Sequence, residues 1–337
     1  MRALQAAAPW GADNLKIADL PEPAPGPGQV LVRMKAVSLN FRDLLMINGM
    51  YGRGSTDTKD VITPFSDGCG IVEAVGPGVN RVAVGDRVAT LFFQNWTSGR
   101  PTLEKLSSAL GFPIPGAGRE LAVFSQEGVS KVPDFLTDQQ VATLPCAALT
   151  AWRGLFEDAD LEPGDTVVLQ GTGGVSIFGL QFAKAAGYRT IITSSSDEKL
   201  ERARALGADH LVNYKSTPEW GKAVRDIAPD GADFIMEVGG GGTIQQSLRA
   251  IRIGGHIAII GVVAGAGDIN PAVLIGNSAK LQGLSVGSRE MFEAMCGAIE
   301  LHRISPVVDK VFPWTEAKAA FGAMAAGEHF GKIVLEF

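Results

Sequence analysis

The sequence predicts an α/β protein: a doubly wound parallel sheet joined to a separate, β-rich domain. Three observations carry this. From about residue 150 to about residue 287, short apolar strands alternate with helical stretches, the pattern of a parallel sheet with helices on both faces. Before residue 145 the chain reads instead as short strands and turns, each near Gly or Pro punctuation. And 337 residues are too many for one comfortable hydrophobic core.

In order along the chain, Val30–Asn40, Gly70–Gly76 and Asp86–Phe93 are β-rich, and PEPAPGPG at Pro21–Gly28 can only be an extended connector. The alternation then runs through strand Thr166–Gln170, helix Val175–Ala186, strand Arg189–Ser194, helix Asp197–Gly207 and the strand HLVNY that ends at Tyr214. A helical stretch near Trp220–Ile227, strand Asp233–Val238, helix Thr243–Ile253 and strand His256–Val262 complete the sheet. After Gly287 a helix, a strand at Val307–Phe312, a helix over Thr315–Ala326 and the strand KIVLEF lead back to the first domain. The expected domains are therefore 1–145 with 288–337, and 146–287.

Composition narrows the function. Thirty basic and 36 acidic side chains leave a formal charge of −6, which offers no broad positive field to a nucleic-acid backbone. The longest apolar run, Ile257–Gly267, is glycine-rich and far too short for a membrane span. The start MRALQAAAPWGADNLK is broken by Gln5 and Pro9 before a signal-peptide core can form. Cys69, Cys146 and Cys296 are too widely spaced for a disulfide framework. No nucleic-acid or membrane partner and a cytoplasmic location are the expectations.

The most informative segment is TVVLQGTGGVSIFGLQFAKAAG. An apolar strand enters Gly171-Thr172-Gly173-Gly174-Val175-Ser176, and an amphipathic helix starts at once. Gly171 makes the tight turn and Gly173 lets the backbone approach a pyrophosphate, which meets the N–H groups of the helix start. Ser176 departs from the usual Gly or Ala at the third position but is small enough to fit. The turn marks a Rossmann dinucleotide site. About 20 residues on, where an NAD site places a carboxylate for the ribose hydroxyls, stand Ser194, Ser195, Ser196 and then Lys199. Hydroxyls and an ammonium suit a 2′-phosphate, so NADP(H) is the expected cofactor. Asp197 is read as a first-turn helix acid, and one of the serines as a helix cap.

Whole-chain order and motifs resemble the medium-chain dehydrogenase/reductase superfamily, more narrowly its zinc-independent quinone-oxidoreductase-like branch. The matching segments are SLNFRDLL (Ser38–Leu45), DGCGIVEAVGPGV (Asp67–Val79), GDRV (Gly85–Val88), LPCAALTAW (Leu144–Trp152), GTGGVS, GADHLVNY and GKIVL near the C-terminus. The resemblance implies a GroES-like catalytic domain completed by the C-terminal tail, a six-stranded Rossmann domain, and a homodimer paired through sheet edges near Val273–Ser285. It also implies cofactor contacts at Thr150, Tyr214, Gly239, Gly261, Val262, Ser285 and Gly287, beside Gly171, Gly173, Gly174, Val175, Ser176, Ser194, Ser195 and Lys199. The glycines have a plainer reading as tight strand-to-helix turns, preferred for Gly241 and Gly242.

Zinc-dependent members hold the metal with Cys, His and Cys. Here the first two positions correspond to Asn40 and Ser66, leaving Cys146 alone, and Gln94–Gly118 contains no cysteine. One thiolate with an amide and a hydroxyl is a poor zinc site. Without zinc, a quinone or an activated C=C bond is a better acceptor than an alcohol, because its developing charge sits on an oxygen that hydrogen-bond donors can hold. By resemblance Asn40 would orient substrate or nicotinamide, Arg42 could stabilise an oxyanion and Tyr51 could donate a proton. Plainer readings pair Arg42 with Asp43 or Asp67 and make Tyr51 a packed aromatic. Ser98–Glu120 would be a flexible cover over the substrate entrance. The expected function is NADPH-dependent reduction of a small-molecule quinone or α,β-unsaturated carbonyl. Two alternatives stay open: a zinc-type alcohol dehydrogenase with altered ligands, and a catalytically weak NADPH-binding sensor or structural protein.

Overall fold

The fold comes from a computed structural model that describes residues 1–50 and 61–337. The chain divides into two units, Met1–Leu149 with Val286–Phe337, and Thr150–Ser285. The first boundary falls inside a helical run over 144–157 whose middle turn, Leu149–Trp152, is flanked by wider π-helical turns. A change of sequence texture could not mark that point.

The strands in chain order are β1 (Arg2–Gln5), β2 (Lys16–Asp19), β3 (Gln29–Ser38), β4 (Asp67–Val75), β5 (Arg87–Thr90), β6 (Leu121–Ser125) and β7 (Val129–Lys131). Then come β8 (Thr166–Gln170), β9 (Arg189–Ser194), β10 (His210–Asn213), β11 (Ala232–Glu237), β12 (Ile251–Ile259) and β13 (Lys280–Gly283). The last two are β14 (Val308–Pro313) and β15 (Lys332–Glu336).

In the first unit β14-β15-β3-β4-β5-β7 form one sheet, with β6 also paired to β3. Strand β3 alternates as a half-buried strand should: Val30, Val32 and Met34 are buried and Gln29 and Arg33 exposed. The core joins early and late segments, packing Val30, Val32 and Phe65 with Trp314, Phe321 and Ile333. Strand β15 runs antiparallel to β3 with Val334 opposite Ser38. On the other side β4 runs antiparallel with Asp67 opposite Ser38. These two registers place the start of β15 and the start of β4 on either side of the C-terminal end of β3.

The second unit is a fully parallel sheet in the order β10-β9-β8-β11-β12-β13. Every residue of β8 is buried, which explains why TVVLQ shows no alternation: both faces are covered. Two expectations need correction. The helix expected to reach Ile253 stops at Ala250, and β12 begins at Ile251 rather than His256. Ile251 pairs with Ala232 across a register shift, and Gly254 turns at φ 73°; β-branched residues beside a Gly pair favour the strand. Strand β13 is the sixth strand that the resemblance implies and lies within Val273–Ser285; four residues carry too short a pattern to be recognised from periodicity alone.

The Ser98–Glu120 insert is not a free cover along its length. Ala109, Leu110 and Ala117 are buried, the last two within the unit's core, while Leu103 on the short helix Leu103–Leu106 is 84% exposed.

Candidate functional site: a dinucleotide turn and a buried polar cluster

In the second unit the turn after β8 leads into helix Gly174–Ala185. Gly171 sits at φ 73°, a conformation that requires glycine. Gly173, the residue that caps the helix, is different. Its backbone (φ −78°, ψ −179°) suits any residue, and a Cβ there would meet nothing within 4 Å. Nothing in the fold around it requires a glycine at this point. The helix receives no side-chain cap, so its first N–H groups, from Gly174, Val175 and Ser176, have no partner within the helix. Ser176 is buried and its hydroxyl donates to the Gln170 carbonyl at 2.5 Å. That bond gives the departure from Gly a structural role: the hydroxyl ties helix to strand.

At the tip of β9, Ser194 is buried and its Oγ accepts from the Ser196 N–H. Ser196 caps helix Asp197–Ala205 by accepting from the Lys199 N–H. Asp197 accepts from Asn213 Nδ2 at 2.7 Å, which holds that carboxylate to its neighbour strand. Tyr214 donates its N–H to the Ser194 carbonyl at 3.0 Å, so its half-exposed ring belongs to the same tip as Ser195. Thr150 is buried at the start of this unit, Val262 is exposed just past β12, and the Ser285 carbonyl accepts from Arg153 Nη1 at 3.1 Å.

Other glycines have internal explanations. A Cβ on Gly239 would lie 2.2 Å from Thr243 Oγ1, and one on Gly261 would lie 2.6 Å from the Val238 carbonyl. In the first unit, one on Gly287 would press on Leu149. The Gly239 N–H also donates to Glu237 and is engaged without any ligand. Glu237, at the end of β11, is fully buried. Its Oε1 accepts from Gly239 N, Gly240 N and Thr243 Oγ1, and its Oε2 from Gln170 Nε2 and Ser247 Oγ. Gln170 and Glu237 fix the loop beside the glycine turn, and neither stands out in the sequence.

In the first unit, the register at the end of β3 gathers Ser38, Asn40, Asp67 and Lys332. Lys332 is 3% exposed. Its ammonium donates to the Leu39 carbonyl at 2.7 Å and to Asn40 Oδ1 at 2.6 Å, and lies 3.6 Å from Asp67 Oδ2. Asn40 Nδ2 donates to Asp67 Oδ2 at 2.9 Å and lies 3.5 Å from Ser66 Oγ. Ser38 Oγ donates to the same Asp67 oxygen at 3.2 Å. Phe65, buried at φ 73°, sets the turn that delivers Ser66 and Asp67; the left-handed conformation of a bulky residue is held by packing, its ring stacked on Phe321. Asp43 is fully buried too, accepting the Asn40 N–H at 2.8 Å as part of a helix-capping box.

Burial decides the electrostatics here. It pushes the Asp43 carboxyl up to about 6, against partial relief from Arg42. It also raises Asp67, opposed by Lys332, Asn40 and Ser38. Burial and the Asp67 charge together carry the Cys146 thiol well above its ordinary range, so Cys146 is no thiolate. Among the described residues Asp43 Oδ1 and Asp67 Oδ1 have no hydrogen-bond partner. Arg42 acts on the cluster by its charge and also meets the insert: Nη1 and Nη2 donate to the Leu110 and Phe112 carbonyls, and its guanidinium lies 4.6 Å over Phe92. It anchors the insert. Tyr51 lies outside the described residues. Lys332 and Asp67 fall within the matching motifs GKIVL and DGCGIVEAVGPGV, but nothing local marks either as a partner of Asn40.

Comparison with known proteins agrees with this architecture. Residues 26–134 match the alcohol dehydrogenase GroES-like domain family, and residues 174–300 match the zinc-binding dehydrogenase family. The chain is 43% identical over 335 residues to a zinc-type alcohol dehydrogenase-like protein of Schizosaccharomyces pombe, covering 97% of this chain and 96% of the relative. It is 30% identical to a 2-haloacrylate reductase of a Burkholderia species (96% of each) and 27% identical to a quinone oxidoreductase of Rattus norvegicus (99% and 97%). A mycobacterial protein solved with NADPH superimposes with a TM-score of 0.84 at 27% identity, covering both chains fully. A Rossmann unit together with a GroES-like unit defines a dehydrogenase/reductase, an oxidoreductase that works with a nicotinamide cofactor. The chain belongs to the medium-chain dehydrogenase/reductase superfamily.

Proposed function

We propose that the protein is a zinc-independent, NADPH-dependent reductase of quinones or α,β-unsaturated carbonyls. One observation carries the reading: a buried ammonium, Lys332, hydrogen-bonds the amide that corresponds to the first zinc ligand of zinc-dependent relatives. The donor set does not suit zinc. Asn40 Oδ1 is already engaged by a cation, Ser66 offers a hydroxyl and Cys146 a thiol held protonated. Among the described residues no group of three or more His, Cys, Asp or Glu could hold a metal, and residues 51–60 contain neither His nor Cys.

The turn after β8 fits a dinucleotide, since the space beside Gly173 is left by the protein and not filled by it. Gly171, Gly173 and the N–H groups of Gly174, Val175 and Ser176 would hold the pyrophosphate. Ser194, Ser195, Lys199 and Tyr214 would hold a 2′-phosphate, with Asp197 turned to Asn213. When bound, NADPH supplies a hydride. The chain's part is to hold the acceptor and stabilise the oxygen on which charge develops, a task for the Asn40 amide. The names of the 2-haloacrylate reductase and quinone oxidoreductase relatives support this acceptor class. The reading includes a homodimer through β13, which is an edge strand of its sheet.

Three measurements test it. The purified protein should contain less than one zinc per chain by elemental analysis, and one tightly bound zinc sinks the reading. NADPH should bind more tightly than NADH in fluorescence titration. NADPH should be consumed with 1,4-naphthoquinone or 2-cyclohexen-1-one; tight binding without turnover across both favours a sensor.

A further inference from the structure

We propose that Lys332 and Asp67 are positioning residues that lock the Asn40 amide in one orientation, so that it presents a fixed N–H to the acceptor oxygen. The inference rests on the reductase reading above and assigns the residues that set up its donor.

The amide could in principle face either way, but its neighbours permit one. The Lys332 ammonium has hydrogens only and needs an oxygen; it takes Asn40 Oδ1 at 2.6 Å. Asp67 Oδ2 accepts and needs an N–H; it takes Asn40 Nδ2 at 2.9 Å. A flipped amide would set nitrogen against ammonium and oxygen against carboxylate, losing two charge-assisted bonds at once. The three ammonium hydrogens face the Leu39 carbonyl, Asn40 Oδ1 and Asp67 Oδ2, so Lys332 has none to offer a substrate. It acts through Asn40. The amide in turn has one hydrogen bonded to Asp67, and its second faces Ser66 Oγ at 3.5 Å, the outer limit of a hydrogen bond. That second hydrogen is the donor left for an acceptor. The cation beside the amide oxygen polarises the group and strengthens the same N–H.

The test uses the full-length protein with NADPH and 1,4-naphthoquinone or 2-cyclohexen-1-one. Lys332→Met should lower kcat by about tenfold or more while NADPH affinity stays within about twofold. The double variant N40D/D67N keeps one acid, one lysine and the bond between positions 40 and 67, but removes the amide donor from position 40. Its melting temperature should stay near that of the wild type while kcat falls by about 100-fold. A merely structural network predicts that the swap restores both. Recovery of kcat to within about threefold of wild type in the swap, or an unchanged kcat in Lys332→Met, overturns the proposal. If Lys332→Met does not fold, the swap decides alone. If the wild type turns over neither acceptor, the reductase reading fails instead. The lock is then read from the Asn40 side-chain NH2 signals in NMR, which should be protected from exchange in the wild type and lose that protection in Lys332→Met; equal exchange in both overturns it.

Discussion

Each unit buries a carboxylate completely, and the two are handled in opposite ways. Glu237 in the Rossmann unit has both oxygens filled by donors from its own loop, the helix that follows it and the neighbouring strand: two backbone N–H groups, two hydroxyls and an amide. Asp67 in the GroES-like unit has one oxygen crowded by Ser38, Asn40 and Lys332 and the other without a hydrogen-bond partner among the described residues. Both burials cost desolvation. The first is offset entirely by hydrogen bonds and produces a rigid loop. The second relies on a cation as well as on hydrogen bonds.

That contrast can be broken most directly at Glu237. Glu237→Ala should strand the Gly239 and Gly240 N–H groups and lower stability by about 4 kcal/mol in urea denaturation. A loss below about 1 kcal/mol would mean the bonds around Glu237 do not carry the loop.

The next largest effects are pH slopes of opposite sign. Burial and Lys280 lower His256, in the Rossmann unit, to about 4. The unfolded chain therefore binds a proton that the folded one refuses, and stability should fall by up to about 3 kcal/mol as pH drops from about 6.5 to about 4. Asp43, in the other unit, is raised to about 6. Its folded form keeps a proton that the unfolded form releases, so its contribution is lost, again by up to about 3 kcal/mol, as pH climbs from about 4 to about 6. His256→Leu should flatten the first slope and Asp43→Asn the second. Parallel denaturation series between pH 4 and pH 7 measure both, and slopes of the same sign refute the assignment.

The smallest effects separate a glycine kept for a ligand from one kept for the fold. Gly173→Ser places a good helix cap in open space, so free-protein stability should hold or rise by up to about 1 kcal/mol. NADPH affinity should nonetheless fall about tenfold or more. Gly239→Ala drives a methyl into Thr243 and should cost about 1–3 kcal/mol of stability. Equal losses of stability at both positions would remove the distinction.

What is legible in the sequence depends on how far apart the interacting residues lie. The glycine turn can be read because strand, turn and helix are contiguous, and the parallel sheet because each strand is punctuated locally. The start of β12 is hidden, since Ile251–Ile253 follows a helix without a proline or polar break. Asn40 stands out by its position in a motif, but its role does not: the partners that orient it come from β4 and from β15, the latter 292 residues away. The carbonyls that Arg42 meets belong to an insert whose path no periodicity reveals. Long-range register, not residue chemistry, is the missing information.

The return of β15 to the first unit also sets an order of events during synthesis. The segments that carry Asn40 and Asp67 leave the ribosome long before Lys332 does, so the cluster must wait for its ammonium until translation has passed residue 332. Folding of domains as they emerge cannot finish this one early. Until β15 docks, a half-made chain holds the Asp67 carboxylate without the Lys332 ammonium that lies beside it in the finished fold. The polar cluster closes late, and a chain released before residue 332 would have no means of completing it.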